Sequence, residues 1–418
     1  MEDIKSTDLF FTRIKSPLKP DISIMKKLDK ILVNGSFMTD FPDAYGQFMP
    51  FMTLDHSTTI LSFPKRLIKK RRAFRFTNYV VNKEEFLPTV EEVWNKEVTC
   101  HNMYKVVQKL KAIKHPMRKN GNLAEKVELC RGKLKASQED MVKNPHDKDA
   151  KVKEAECLAD YFAALEDEEK FMFQKAKVDW ISSGDRNIKY LYKVITSKRN
   201  INIIMSVCNE KGERFEGNLV AHKFVQYFQR FLGTNEKGIA MNTKNLFTNR
   251  LTVEGTAKVV TDVTDKEIKE AMFDISENKA PGLNGFTFAF FKHYWSIIGK
   301  KVCQAIKEFF CSGKLLGEIN ATLITLISKI PQPNKVSDFR PIACCNVIYK
   351  CIIKILTNRI KGSLDKLVNI SQSAFIPRRV TQDNLMITQE LLKGYNYKNG
   401  AGRCALKIDI AKAYDTVD

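Results

Sequence analysis

Four stretches of unlike hydrophobic pattern follow one another along the 418 residues. That length is too great for one ordinary domain, so two or three units are expected. Residues 1–64 are aromatic-rich, with short alternating runs; the run over 27–33 ends at Asn34-Gly35, which predicts a strand and then a turn. Residues 65–180 are highly charged and predict helix, with Ala155, Leu158, Ala159, Phe162 and Leu165 at helical spacing. Over 181–263 a Gly184-Asp185 turn and a strand pair around 204–215 lead to a helix. Its stripe of Ala221, Phe224, Val225, Phe228, Phe231 and Leu232 predicts a core face.

The last stretch opens at Thr264, where Thr264 and Glu267 have the spacing of a capping box. Ile268, Ala271, Met272 and Ile275 follow as the predicted buried face. A helix-breaking loop, Lys279-Ala280-Pro281-Gly282-Leu283-Asn284-Gly285, precedes two helices that end near Gly313. A buried strand is predicted over 321–330 and a helix over 347–359. In the closing segment Leu406, Ile408 and Ile410 alternate with Lys407 and Asp409, the pattern of a half-buried strand.

Charge narrows the partners. Lysine and arginine number 69 against 48 acidic residues, a net charge of +21. Such an excess favours a polyanion, nucleic acid before an acidic membrane surface. The charge clusters: Lys65, Arg66, Lys69, Lys70, Arg71, Arg72 and Arg75 fall within twelve positions. That run suits phosphate backbone, a nuclear localisation signal, or a solvated linker. The ten cysteines include no CxxC pair, so free thiols are expected rather than a zinc module. The polar N-terminus is unlike a secretory signal, and no apolar run approaches the ~20 residues of a membrane helix. Nucleus or cytoplasm, without a membrane, is the expected location. No GxxxxGK[ST] or GxGxxG motif supports a nucleotide-hydrolysing or dinucleotide enzyme.

Acidic residues are depleted in strands, so Asp409 needs a reason: a hydrogen-bonded cap or a metal site. Its neighbours extend the pattern. Asp409-Ile410-Ala411-Lys412-Ala413-Tyr414-Asp415 resembles motif A of reverse transcriptases. Lys279-Ala280-Pro281-Gly282, Phe339-Arg340-Pro341-Ile342, Gln372-Ser373-Ala374-Phe375-Ile376-Pro377 and this motif stand in the order found in polymerases of plant non-LTR, LINE-type retrotransposons. Trp180-Ile181-Ser182-Ser183-Gly184-Asp185-Arg186-Asn187 is similar to the segment such polyproteins carry before the polymerase. Residues around Asp29 and Asp55-His56-Ser57 resemble the end of their endonuclease/exonuclease/phosphatase-type nuclease.

The resemblance implies a mixed α/β fold in three parts. These are a partial endonuclease β-sandwich (1–64), a basic, mostly helical connector (65–263), and a truncated right-hand polymerase with fingers and first palm strand (264–418). It implies RNA-directed DNA synthesis with Mg²⁺ on an RNA template, a DNA primer or target and dNTP. Asp409 and the Ile410 carbonyl would hold metal, Arg340 and Lys329 would meet the incoming triphosphate, and Tyr414 would discriminate against a 2′-hydroxyl. His56 would assist attack at a scissile phosphate, Asp29 would orient it, and Asp55 would lie near a metal. The pattern departs at Arg13, where tryptophan is usual, at Leu283-Asn284, which replace Pro-Asp, and at Arg378, where glycine is usual. The sequence contains no Asp-Asp dipeptide and stops nine residues after Asp409, so no polymerase activity is expected of these residues alone; nor is nuclease activity, because the N-terminal part of that two-sheet fold, with its further metal-binding positions, is missing. The alternative is a non-catalytic, basic nucleic-acid-binding protein.

Overall fold

The computed structural model describes residues 2–15, 21, 23–51, 54–63, 73–83, 85–118, 123–143, 145–177, 188–233, 249–393, 395 and 404–408. The chain divides into two compact units, Met1–Ala221 with Met272–Tyr349 and His222–Ala271 with Lys350–Asp418. Among the described residues no helix is long and apolar enough to cross a membrane.

The first unit begins with small sheets. Ser6–Asp8 runs parallel to Tyr45–Phe48, which pairs antiparallel with Thr59–Ser62. Arg13–Lys15 pairs with Ile24–Lys26, and Glu2–Asp3 with Leu32–Val33. Ile4, Val33, Met38 and Ala44 close over Ile31 and Phe37 as their shared core. The strand expected over 27–33 is confined to Leu32–Val33, and Asn34 starts a helix, Gly35–Asp40, instead of a turn. The chemistry is the same in both cases. The Asn34 side-chain oxygen accepts a backbone N–H, here that of Phe37 at 2.8 Å, as an N-cap.

The charged stretch is helical as expected. Leu123–Lys143 and Lys148–Ala176 pack as an antiparallel hairpin. The predicted stripe is not its buried face: Phe162 is 50% exposed, while Ala150, Ala164, Glu168, Met172 and Ala176 are buried. A helix that packs on one side buries a narrow seam, and small residues let the backbones approach. The strand pair predicted around 204–215 forms as Ser206–Cys208 with Arg214–Glu216.

Two helices, Phe288–His293 and Trp295–Ser312, carry the densest core. Phe286, Phe288, Phe290 and Phe291 are fully buried, and the rings of Phe286 and Phe290 lie 4.6 Å apart. Gly313 ends the second helix at φ 67°, a left-handed cap that glycine takes without a Cβ clash. The loop before these helices is held by one side chain. Asn346, 1% exposed, accepts the Asn284 N–H at 3.0 Å. Its amide nitrogen donates to the carbonyls of Glu318, Ile319 and Ala321 at 3.0, 3.0 and 3.2 Å. Gly282 passes so close that a Cβ would stand 2.5 Å from the Asn346 nitrogen.

The expected buried strand forms as Leu323–Ser328, but among the described residues it pairs only with Phe339–Cys344, and it is exposed over most of its length. Ile324 and Ile327 are 46% and 52% exposed. An apolar run therefore marks a two-stranded ribbon here, not a sheet interior.

In the second unit Arg359 is the organising residue. Its guanidinium donates to both carboxylate oxygens of Glu267 at 2.7 Å and to the carbonyls of Val259 and Thr261 at 3.1 and 2.6 Å. The predicted capping box is present: Thr264 Oγ1 accepts the Glu267 N–H at 3.2 Å, and the Thr264 backbone N–H donates back to the Glu267 carboxylate. The Glu267 carboxylate pairs with Arg359. Helix Asn218–Gly233 buries Val220 and Phe224, whereas Val225 and Leu232 of the predicted stripe are 54% and 48% exposed. Helix Thr381–Leu392 has no buried residue. Residues 404–408 form no strand, with Leu406 and Ile408 84% and 82% exposed, which corrects the expectation of a half-buried first palm strand over them. Alternation alone does not make a strand; a ladder partner must take its N–H and C=O groups.

Two outcomes are expected. Asn346→Ala strands several buried backbone groups and lowers the stability of its unit by about 3 kcal/mol, measured by urea denaturation. Hydrogen bonds from Arg359 hold the Glu267 carboxyl below its ordinary value against the opposing effect of burial. The stability this adds is complete above the unfolded value of about 4.3 and is lost as pH falls through the lower folded value. Stability–pH curves of wild type and Glu267→Gln should therefore diverge at neutral pH and converge in acid; parallel curves would refute the ion pair's contribution.

Candidate functional site

Strand Arg13–Lys15 is a rail between two segments that are distant in sequence. On one side the Thr12 N–H donates to the Lys26 carbonyl at 3.0 Å. On the other, Ile14 N–H donates to the Asp55 carbonyl and Ser57 N–H to the Thr12 carbonyl, both at 2.8 Å. Thr12 is fully buried, and its hydroxyl accepts the N–H groups of Leu28 and Asp29 at 2.9 and 2.8 Å. The rail brings Asp29 to His56, whose Nδ1 lies 3.0 Å from Asp29 Oδ2. The pair expected from sequence is thus assembled, partly open to solvent.

Burial tends to raise the Asp29 carboxyl, but hydrogen bonds from His56 and Thr12 and the charge of His56 outweigh it and hold it below its ordinary value. Asp55 lies beside Arg13, with Nε 3.7 Å from its carboxylate. A guanidinium there takes the place a metal ion would need, and among the described residues no three His, Cys, Asp or Glu side chains stand together as an ion site. The donor set at Asp55 therefore does not fit Mg²⁺. Arg13 and Thr12 shape this site; Arg13 marked itself in sequence only as a departure from a tryptophan, and Thr12 gave no signal.

The second group of expected residues lies on the ribbon. Arg340 is opposite Ile327, and Lys329 follows the paired strand, its N–H donating to the Asp338 carbonyl at 2.8 Å. The register puts Lys329 and Arg340 two positions apart diagonally, on one face. Both are exposed. Lys329 Nζ donates to the Ser337 carbonyl at 2.8 Å, while the Asp338 carboxylate accepts the N–H groups of Asn334 and Lys335 at 3.0 and 2.8 Å. The inserted residues between the strands are thereby folded into a tight cap.

Residues 372–377 form a turn knitted to its surroundings by Arg379. This guanidinium donates to the carbonyls of Gln372 and Val368 at 2.8 and 3.0 Å. Phe375 and Arg378 both adopt left-handed backbone, at φ 64° and 67°. Arg378 thus sits in the conformation that glycine takes without strain. Arg75 is exposed. Lys65, Arg66, Lys69, Lys70, Arg71 and Arg72 lie outside the described residues, as do Asp409, Ile410 and Tyr414 and the whole segment from Trp180 to Asn187.

Comparison with known proteins gives two findings. Residues 330–418 match the family model described as reverse transcriptase (RNA-dependent DNA polymerase). That range contains Arg340, residues 372–377 and Asp409. Over 405 residues the chain is 22% identical to the Transposon TX1 uncharacterized 149 kDa protein of Xenopus laevis, covering 94% of this chain and 31% of that protein. The chain spans about a third of the length of that relative. A reverse-transcriptase-like region, within a chain similar nearly throughout to a transposon protein, is what the two comparisons define.

Arg378→Gly should stabilise the second unit by about 1 kcal/mol, because it removes a Cβ from left-handed backbone. A higher urea midpoint is the expected reading; an unchanged or lower one would show that the arginine side chain compensates for the strain.

Proposed function

We propose that the chain is a segment of a non-LTR retrotransposon polyprotein and carries the fingers and the start of the palm of its RNA-directed DNA polymerase. The match of residues 330–418 to the reverse transcriptase family model carries this reading. The order of the four motifs over 279–415 supports it. Residues 1–64 would derive from the element's endonuclease and 65–263 from a basic connector. The working partners would be an RNA template, a DNA primer or target, and dNTP.

On this reading Arg340 meets the triphosphate. It is exposed on a ribbon whose neighbouring residues are fixed by backbone pairing, so a phosphate can reach its planar fork of donors. Lys329 adds charge on the same face and orients less, because its ammonium already donates to a backbone carbonyl. Asp409 and the Ile410 carbonyl are oxygen donors of the hard kind that Mg²⁺ accepts. Divalent ions in such a site would polarise the primer hydroxyl and neutralise the triphosphate. Tyr414 would stand against the sugar. Asp29 and His56 form an acid–base pair, and their use in strand cleavage would need metal ligands beyond Asp55.

The 418 residues supply one of the carboxylates that two-metal transfer requires, and no Asp-Asp pair. The test is a primer-extension assay with this polypeptide on a primed RNA template, beside a dNTP-binding measurement. Expected results are binding of primer–template without extension, and dTTP binding weakened about tenfold in Arg340→Ala. Extension that disappears in Asp409→Ala would overturn the inactivity of these residues alone. Unchanged dTTP binding in Arg340→Ala would remove Arg340 from the nucleotide site.

A further inference from the structure

One cleft of the first unit plays no part in the polymerase reading. It has a volume of about 230 Å³ and is walled by residues 3–7, 10, 27, 201–206 and 326–339 in part. Three segments distant in sequence therefore meet around it. Lys5 and Lys27 line it, against Asp3 as the only carboxylate of the wall. Asp3 is occupied, since its Oδ1 accepts the Ile31 N–H at 3.3 Å. Lys5 Nζ donates to the carbonyls of Ile201 and Ile203.

Among the described residues this half-buried ammonium meets carbonyl dipoles and no carboxylate, so its charge is not compensated. Consistent with that, burial lowers Lys5 to about 8. The rest of the wall is suited to a nucleotide. Ser6 and Ser206 offer hydroxyls, and Phe10, 41% exposed, offers a ring. Gln332 donates to Ser6 Oγ at 3.1 Å, and its buried amide oxygen accepts no hydrogen bond among the described residues. Cations beside an exposed aromatic are the combination that holds single strands: charge tracks the phosphates, and a base stacks on the ring. The volume favours a strand over a free ligand, because pockets for whole small molecules start near ~300 Å³.

We propose that this cleft is a single-strand nucleic-acid site, with a phosphate between Lys5 and Lys27 and a base against Phe10. Arg340, Asp29 and His56 are not among the residues that line it. It stands or falls independently of the polymerase reading, because nothing in it draws on motif A.

The chain's overall positive charge will bind oligonucleotides elsewhere as well, so the experiment must read the cleft itself. Lysine acetylation of the full 418-residue chain, followed residue by residue by mass spectrometry, does so. The probes are a ten-uridine RNA, a ten-thymidine DNA, UMP and inorganic phosphate. Expected is a several-fold slower acetylation of Lys5 and Lys27 with either ten-mer, at concentrations where UMP and phosphate leave both unchanged. Phe10→Ala should weaken that protection about tenfold. Lys27→Ala should lower the salt dependence of the Lys5 protection by about 0.7 in log–log slope. Both residues are at the surface, and the wild-type footprint needs no variant. Unaltered Lys5 reactivity with the ten-mers bound, as reported by anisotropy, would overturn the proposal. Equal protection by UMP or phosphate would overturn the strand assignment.

Discussion

The Asn346 carboxamide is the interaction on which the first unit's polymerase-like region depends. It sits at the start of a helix, almost without solvent contact, and joins the 279–285 loop to the chain that leads into the ribbon. Three carbonyls that end the segment before Leu323 share its amide protons. Apolar burial is strong but non-directional. The amide supplies direction, and the close passage of Gly282 against the Asn346 backbone leaves it one geometry.

The same device recurs wherever irregular backbone must be ordered. Thr12 gathers the 28–29 amides, Arg359 gathers carbonyls at 259 and 261, and Arg379 gathers those at 368 and 372. Each is one polar side chain satisfying several backbone groups that no helix or sheet takes up. This divides the chain's large positive charge into two populations. Arg359 and Arg379 are turned inward on carbonyls and carboxylates. Arg340 and Arg75 are exposed, where phosphate can reach them. Net charge alone does not distinguish the two.

Much of the local architecture was legible. The helix ending at Gly313, the strand pair near 206–216 and the helix beginning at Val347 all follow from periodicity and cap residues. The Thr264 cap was also legible, because a hydroxyl and an amide three residues apart meet by local geometry. The partner of Glu267 was not, because Arg359 lies 92 residues away. Burial was the weakest reading. Apolar runs at 323–328 and 155–165 form the predicted elements but are largely exposed. Periodicity gives the face an element could bury, and only a neighbour decides whether it does.

For the candidate sites the division is similar. By itself the sequence determined which chemical groups are present and in what order: an aspartate and a histidine near the N-terminus, a basic ribbon, and Asp409 at the head of a motif A-like segment. That information resides in residue types and short spacings. Tertiary structure alone decided that Asp29 meets His56 across the Arg13–Lys15 rail, that Arg13 lies on the flank of Asp55, and that Lys5 is half-buried against backbone carbonyls, with no carboxylate partner among the described residues. These facts depend on desolvation and on contacts between segments tens to hundreds of residues apart. No local pattern encodes them, because the energy that selects them is exchanged only once the segments are packed together.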